Sequence, residues 1–159
     1  ALEIQQRLEK LMLIKGTKTA DYFHKELGKL LYNKCGLSRS AEGLKEAIIG
    51  IEVLAKEFYA DLMVPGIAAD MNAELEKAGR VADYLEVASL MCYDALNREE
   101  SCGAHFREEY QTETGEAMRN DEKFCYVSAW EWPGESLEPV LHPEPLTFEF
   151  IKLSVRNYN

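Results

Sequence analysis

The sequence of 159 residues lacks the motifs on which most self-contained catalytic and metal-binding domains are built. It has three histidines and four cysteines, and no cysteines form a Cys-x-x-Cys pair or stand at metal-ligand spacing with a histidine. It has no Gly-x-Gly-x-x-Gly turn after a strand, no Walker-type phosphate loop and no His-Glu-x-x-His helix. We therefore predict no metal site and no nucleotide-binding site in this chain.

Basic residues are also in the minority, which bears on the partners of the protein. Lys and Arg total 18 against 28 Asp and Glu, so the formal net charge is −10. Such an acidic chain is a poor ligand for phosphate backbones, and we expect no nucleic-acid partner. No apolar run is long enough to cross a bilayer, and the amino terminus is not a secretory signal. Because Ala1 already lies within a helical pattern, we expect the chain to be cut from a longer protein. We also expect its cysteines to be reduced thiols in a cytoplasmic compartment.

Helical periodicity dominates the first two thirds of the chain. Thr19 and Ser40 are the predicted N-caps of the second and third helices, because their hydroxyls can accept unpaired N–H groups of a first turn. The predicted fold class is mainly α. Because the connections between the helices are short, we expect the helices to pack as an antiparallel bundle of three to four. Apolar residues at spacings of three and four predict these helices over residues 2–14, 19–36, 40–63 and 70–98.

The fourth of these helices is the element around which we expect the others to pack. One seam of apolar and small residues runs along it at Leu75, Ala78, Ala82, Leu85, Ser89, Cys92 and Leu96. A second stripe lies on the far side, at Tyr84, Val87, Met91 and Ala95. Because the helix is apolar on nearly every side, we predict a central position for it.

The last third of the chain has a different pattern. Residues 124–132 alternate in character with a period of two, which predicts a strand, and Pro133-Gly134-Glu135 predicts a turn. A second extended run, residues 146–151, is the predicted partner of this strand in a small C-terminal β-hairpin or extended tail. A lone two-stranded ribbon is marginally stable, so its aromatic face should pack on the bundle or on another domain. We therefore divide the chain into a bundle with its exit turn, 1–110, and a loop, strand pair and tail, 111–159, within one domain.

The exit turn of the long helix concentrates charge. Residues 98–110 contain six Arg and Glu residues together with His105. Burying so many charges is costly, so the turn is expected to be either solvated or docked on a charged partner. Clustered carboxylates alone do not make an acid–base pair, and nothing near His105 supplies a nucleophile. We predict no catalytic residue here.

The run from Glu76 to Tyr110 resembles the carboxy-terminal helical domain of the flavoprotein subunit of succinate dehydrogenase and fumarate reductase. That family carries Arg-x-Glu-Ser-Arg-Gly-Ala-His after a long helix, followed by arginine and an acidic pair. Cys102 departs from the pattern, since the family usually has arginine there. The resemblance extends back to Pro65 and forward to Arg156-Asn157-Tyr158. The matching residues of the turn are Arg98, Glu100, Ser101, Gly103, Ala104, His105, Arg107, Glu108 and Glu109.

The resemblance implies a role for the turn and a set of partners. It implies FAD on an upstream domain, a capping domain that helps to hold the dicarboxylate, and an iron–sulfur subunit bound at a membrane anchor. The parent protein would interconvert succinate and fumarate at the cytoplasmic face of the membrane. The isolated chain is expected to bind no FAD and to be inactive. The implied contacts with the FAD-binding domain are made by Arg98, Glu100, Ser101, Gly103, His105 and Arg107.

Other interpretations of the sequence stay open. L-aspartate oxidase belongs to the same superfamily and has a similar turn, but the aromatic strand pair and the Arg156-x-Tyr158 ending favour the respiratory subunit. A free-standing acidic helical module would bind its partner through residues 99–110 and form a stable, monodisperse domain. A domain taken from a larger protein would instead expose an apolar face. An independent enzyme using His105 and Glu108 is the least favoured alternative.

Overall fold

The computed structural model describes residues 2–67, 71–132 and 137–154 of the chain. Within these ranges none of the helices combines the length and apolar character that crossing a bilayer requires. Four helices of three turns or more form the bundle, and a one-turn helix and four short strands follow or connect them. In chain order the elements are α1 (Leu2–Leu13), α2 (Ala20–Lys34), β1 (Ser38–Arg39), α3 (Ala41–Asp61), α4 (Ala73–Asn97), β2 (Phe106–Arg107), α5 (Asp121–Phe124), β3 (Tyr126–Glu131) and β4 (Val140–Pro145).

The helix starts follow from side chains that cap them. The Thr19 hydroxyl accepts the N–H of Tyr22, and the Ser40 hydroxyl accepts the N–H of Gly43. Both predicted caps are therefore confirmed. The long helix α4 starts where the Asn72 side chain accepts two N–H groups of the first turn. Its end at Asn97 also agrees with the prediction.

Contacts between the helices give their directions. Phe23 of α2 meets Phe58 of α3 with ring centroids 5.2 Å apart, while Lys34 at the other end of α2 pairs with Glu46 near the start of α3. The two helices are therefore antiparallel. The starts of α2 and α4 lie close together, since Lys77 pairs with Asp21, and the strands that follow the two helices pair with each other, so α4 runs parallel to α2. The predicted fold class, a mainly α bundle with a small C-terminal strand pair, is confirmed.

The core lies between α2, α3 and the inner seam of α4, with Leu11 of α1 closing one end. Phe23 and Phe58 are completely buried and pack edge to face. The outer stripe of α4 is only partly covered by the described chain, because Tyr84, Val87 and Met91 are 43%, 53% and 49% exposed. The prediction that α4 is surrounded on nearly every side is therefore wrong for this stripe. Only Ala95, at its C-terminal end, is buried.

The connection between α1 and α2 is fixed to the end of α3. The N–H groups of Gly16, Thr17 and Lys18 donate to carbonyls of Asp61 and Leu62, and the Asp61 carboxylate accepts from the N–H of Thr17 at 2.7 Å. This N–H lowers the pKa of the Asp61 carboxyl. A Cβ atom on Gly16 would lie 1.9 Å from the carbonyl carbon of Asp61, so only glycine permits this approach.

The C-terminal strand pair differs from its prediction in position. β3 pairs antiparallel with β4, with Tyr126 opposite Pro145 and Glu131 opposite Val140. The prediction that residues 146–151 form the partner strand is wrong, and the error has a physical source. Pro143 and Pro145 argue against a strand because proline has no N–H to donate to a neighbouring strand. In β4, however, the two prolines stand two positions apart on an edge strand, and their nitrogens face away from β3. The N–H of Leu146, one position after Pro145, points the opposite way and donates to the carbonyl of Cys125 at 3.1 Å.

The start of the first strand also needs correction. Phe124 was predicted within the strand, but it is the buried last residue of α5. The Asn120 side chain accepts the N–H of Lys123 and so caps a single helical turn before the chain becomes extended. From Tyr126 the predicted alternation is confirmed, since alternate residues are half-buried and exposed. The predicted turn at 133–135 and the 156–158 ending lie outside the described residues.

The packing predicts where substitutions destabilise the domain. Phe58→Ala should lower the free energy of unfolding by about 3–5 kcal/mol, because it leaves a cavity beside Phe23. Val53 on the same helix is 59% exposed, and Val53→Ala is the matched control, with a change within about 0.5 kcal/mol. Urea denaturation followed by circular dichroism measures both. Similar losses for the two variants would contradict this placement of the core.

Candidate functional site

The charged turn leaves α4 at Arg98 and folds back as a small hairpin. The N–H of Cys102 donates to the carbonyl of His105 at 2.8 Å, and the N–H of His105 donates back at 3.1 Å. Gly103 takes a φ of +59°, a conformation that residues with a Cβ rarely adopt. Cys102, Gly103 and Ala104 are exposed, so they form a tip that projects from the domain.

A two-residue parallel pairing fixes this hairpin to the connection between α2 and α3. Ser38 lies opposite Phe106 and Arg39 opposite Arg107, and the N–H of Glu108 donates to the carbonyl of Arg39 at 2.9 Å. The Ser38 hydroxyl donates to the Glu108 carboxylate at 2.7 Å. The turn is thus held by residues that precede it in sequence by nearly seventy positions. The sequence pattern did not predict this pairing.

Arg107 is buried at the C-terminal end of α4. Its side chain is 2% exposed, and Nη1 donates to the carbonyls of Ala95, Leu96 and Arg98 at 2.8, 3.1 and 3.3 Å. The last carbonyls of a helix have no partner within the helix, and the helix dipole places partial negative charge there. The guanidinium therefore satisfies these acceptors and neutralises this end of the helix.

Glu109 places a negative charge at the N-terminal end of α3 and accepts a hydrogen bond there. One carboxylate oxygen accepts the N–H of Ala41, the first residue of α3, at 2.6 Å, and the other accepts from Arg107 Nε at 3.1 Å. Burial raises the pKa of the Glu109 carboxyl, but the Ala41 N–H and the Arg107 guanidinium outweigh it and the pKa is lowered. The Arg107–Glu109 pair therefore links two helix ends of opposite polarity.

Glu100 and Ser101 fasten the inner side of the turn. Glu100 is 2% exposed, and its carboxylate accepts from Arg98 Nη1 at 3.0 Å and from the N–H of Asn120 at 2.9 Å. The Ser101 hydroxyl is completely buried and accepts the N–H of Arg107 at 2.8 Å. Arg98 also donates to the carbonyl of Tyr126 and lies over its ring, which connects the turn to β3.

His105 is half-buried and bound on both ring nitrogens. Nε2 lies 3.1 Å from the carbonyl oxygen of Arg98, and Nδ1 lies 3.0 Å from Arg39 Nη1. Because a carbonyl only accepts and a guanidinium only donates, Nε2 carries the proton and the ring is neutral. Burial lowers the pKa of His105, and the positive charges of Arg39 and Arg107 act in the same direction.

The six residues predicted as interdomain contacts therefore lie together but differ in exposure. Glu100, Ser101 and Arg107 make their contacts inside the chain, Arg98 and His105 are half-buried, and Gly103 is exposed. A contact with a second domain stays a prediction for all six. The sequence analysis missed Arg39 and Asn120 and missed the capping role of Glu109, because each acts across a long separation in sequence. No local pattern marks such pairs.

The chemistry available at this site is structural. Among the described residues, no group of three or more His, Cys, Asp or Glu side chains is placed to hold a metal ion. In the same ranges, no strand leads through a glycine-rich turn into a helix, the unit that binds the pyrophosphate of FAD in dinucleotide-binding folds. The residues present do not fit FAD, so we derive no step of flavin chemistry from them.

Comparison with known proteins identifies the class to which this fold and turn belong. A family model described as the C-terminal part of the fumarate reductase flavoprotein matches residues 24–158. The match includes α3, α4, the charged turn and the strand pair. The chain therefore belongs to the family of fumarate reductase flavoprotein C-terminal domains, and the resemblance seen in the sequence is confirmed.

Individual relatives agree with this assignment. The fumarate reductase flavoprotein subunit of Serratia sp. is 30% identical over 107 residues, which are 67% of this chain and 18% of that protein. The corresponding Helicobacter pylori subunit is 27% identical over 156 residues, which are 96% of this chain and 20% of that protein. The chain thus spans about a fifth of the length of these curated relatives.

Solved structures share the fold. A variant of Escherichia coli quinol fumarate reductase FrdA superposes with a TM-score of 0.81 at 21% identity, covering 97% of this chain and 25% of that one. The Mycobacterium smegmatis Sdh1 complex superposes with a TM-score of 0.72 at 21% identity, covering 92% of this chain and 24% of that one. At this level of identity the superpositions establish the common architecture alone.

The buried position of Arg107 predicts a large effect of its removal. Arg107→Met should lower the free energy of unfolding by about 3 kcal/mol, because three carbonyls and the Glu109 carboxylate lose their donor. Arg80→Met removes an exposed arginine that pairs with Glu76 and should leave the stability unchanged within error. Chemical denaturation measures both variants. Equal effects would show that the carbonyls of α4 do not depend on the guanidinium.

The environment of His105 predicts a pH dependence. Because its pKa is lowered in the folded state, the unfolded state takes up the proton more readily as the pH falls below the ordinary value of 6.5. Stability supplied by His105 is thus complete above that pH and is lost as the pH falls through the folded-state pKa. His105→Gln retains a donor for the Arg98 carbonyl and does not titrate. The stability difference between the wild type and this variant, measured from about pH 8 to about pH 5, should shift in favour of the variant at low pH. A constant difference would contradict the neutral ring.

Proposed function

We propose that this chain is the part of a succinate- or fumarate-converting flavoprotein that packs against the FAD-binding domain and supports it. The observation that carries the proposal is the family match over residues 24–158, which spans the bundle and the charged turn together. The parent flavoprotein would carry FAD on an upstream domain, where the flavin would supply hydride transfer with the dicarboxylate. The chain's own contribution is to present a rigid surface to that domain.

The turn offers such a surface through its exposed tip. Ala104 and its neighbours project from the hairpin, while Arg107 and Glu109 hold the hairpin against two helix ends. A tip fixed in this way loses little conformational entropy on docking. The six predicted contact residues then have two roles. Gly103, Arg98 and His105 are exposed or half-buried and would meet the FAD-binding domain, whereas Glu100, Ser101 and Arg107 hold the turn in shape from inside.

The exposed stripe of α4 supports the same interpretation. Tyr84, Val87 and Met91 are spaced by three and four residues, and the same spacing leads on to Asp94 and Arg98, so all five share one face of the helix. Trp130 Nε1 donates to the Asp94 carboxylate at 2.9 Å, which brings the strand pair beside the C-terminal part of the stripe. An uncovered apolar stripe that leads to the charged turn is expected of a domain that packs on another part of a larger protein. A free-standing helical module would not be expected to expose such an apolar stripe.

The wider assembly follows as part of the proposal. One neighbouring structure is named quinol-fumarate reductase with menaquinol molecules, and another is named an Sdh1 complex. By the same architecture, the parent of this chain would contact a capping domain and an iron–sulfur subunit, and would be held by a membrane anchor at the cytoplasmic face of the membrane. Residues 2–67, 71–132 and 137–154 would lie on the peripheral side of that complex.

The coding DNA upstream of Ala1 provides the first test. A continuous reading frame with a Gly-x-Gly-x-x-Gly turn near its start would support the proposal. A start codon at the boundary would contradict it and favour the self-contained acidic module. The frame also supplies the full flavoprotein that the docking test requires.

Ala104→Arg in that full flavoprotein tests the docking surface itself. The added charge should reduce fumarate reduction with a viologen dye by about tenfold or more, because it obstructs contact with the FAD-binding domain. Ala60→Arg, at an exposed position of α3, is the matched control and should keep full activity. Both variants should leave the unfolding of the 159-residue chain unchanged. Full activity and flavin content with Ala104→Arg would refute docking through the tip.

A further inference from the structure

Strand β3 has one edge that is paired with β4 and one edge that is open. The N–H of Leu146 donates to the carbonyl of Cys125, so the main-chain groups of Cys125 and of every second residue after it face β4. The main-chain groups of Ser128 and Trp130 therefore point the other way. The sheet has two strands, and in the part of the chain that the structure describes no third strand pairs with β3 on that side.

The two outer edges of this sheet differ in how they are protected. On the outer edge of β4, Pro143 and Pro145 have no N–H group to offer a further strand. The open edge of β3 has no proline in residues 126–131, and it keeps the N–H and C=O groups of Ser128 and Trp130. Natural proteins block edges of this kind unless another segment covers them. The open edge of β3 therefore has the chemistry of a site for an added strand.

The strand pair also gains little from the contacts that it makes within the chain. A two-stranded ribbon is marginally stable by itself, and a third strand or a supporting helix is what makes it stable. Trp130 Nε1 binds the Asp94 carboxylate and holds the inner face on α4, whereas Val127 on the outer face is 49% exposed. The Ser128 hydroxyl is buried and has no hydrogen-bond partner among the described residues. A third strand would add main-chain hydrogen bonds that the pair lacks.

The open edge is continuous with the charged turn. The carbonyl of Tyr126 lies on the same side of β3 as the carbonyls of Ser128 and Trp130, and it accepts from Arg98 Nη2 at 2.7 Å. Arg98 is one of the residues predicted to contact the FAD-binding domain. A polypeptide docked at the turn would therefore lie beside the open edge. Because the chain spans about a fifth of the length of its curated relatives, most of a parent of that length lies outside it.

We propose that β3 binds an extended segment from the rest of the parent flavoprotein as a third strand, paired with the main-chain groups of Ser128 and Trp130. The proposal rests on the proposed function, because it names a second contact between this domain and the remainder of the same polypeptide. Recognition is by the main chain, so the added segment needs an extended run of about three to five residues with a free edge of its own. Parallel and antiparallel segments can both bond to these groups.

Hydrogen exchange at single amides tests the proposal directly. In the 159-residue chain, followed by NMR, the amides of Val127 and Ala129 are paired with β4 and should exchange more slowly than those of Ser128 and Trp130. In the full flavoprotein, followed by mass spectrometry with electron-transfer fragmentation, exchange at Ser128 and Trp130 should slow by about tenfold or more. Unchanged exchange at both amides would overturn the proposal. Protection that grows with the concentration of the 159-residue chain would also overturn it, because a second copy would then be the added strand.

Two proline substitutions provide a variant and its matched control. Ser128→Pro places a ring on the open edge of β3, and Leu141→Pro, opposite Trp130, places one on the outer edge of β4. Both nitrogens face away from the partner strand, so slow exchange at Ala129 should persist in both variants and shows that the pair is intact. In the full flavoprotein, Ser128→Pro should remove the protection of the Trp130 amide and Leu141→Pro should retain it. Equal protection of Trp130 in the two variants would contradict strand addition at β3.

The same exchange data separate this proposal from docking through the tip of the turn. Docking of the tip predicts slower exchange at Gly103 and Ala104 in the full flavoprotein than in the 159-residue chain. Protection at these two amides alone would support the proposed function and overturn the third strand. Protection at Ser128 and Trp130 alone would support the third strand and count against the tip as the contact surface.

Discussion

The guanidinium of Arg107, buried against the last carbonyls of α4, is the interaction on which the charged turn depends. Its charge is balanced by Glu109, whose other oxygen accepts the first N–H of α3. The pair therefore places a cation at a negative helix end and an anion at a positive one. This arrangement explains how a segment so rich in charge is held partly inside the protein, since the helix termini replace the water that the charges lose.

Most of the helical fold could be predicted from the sequence because its signals are local. Thr19 and Ser40 mark helix starts through bonds to residues three positions later, and the inner seam of α4 repeats every three or four residues. The same rule fails where burial depends on what lies outside the chain. The outer stripe of α4 has the same apolar pattern as the seam, yet Val87 is 53% exposed. Periodicity shows that a face is apolar, and it does not show whether the same polypeptide segment covers it.

The site could be located from the sequence but not built from it. The resemblance singled out the residues of the turn, and three of them prove to be internal supports. Their partners are distant in the chain, as with Arg39 and His105, which are 66 positions apart, or Ala41 and Glu109, which are 68 apart. The misplaced second strand has a related cause. Pro143 weighs against a strand in general, and only the position of β4 at a sheet edge makes it acceptable.

The parallel pairing of β1 with β2 has a consequence for the order in which the molecule assembles. Its two segments, at 38–39 and 106–107, enclose all of α3 and α4 between them. Bringing such remote segments together costs loop-closure entropy, which is repaid only after the intervening helices have packed. The turn is therefore among the last parts to take shape. The docking surface proposed for the turn would thus exist only when the bundle behind it is complete, and incompletely folded copies would have no such face to offer a second domain.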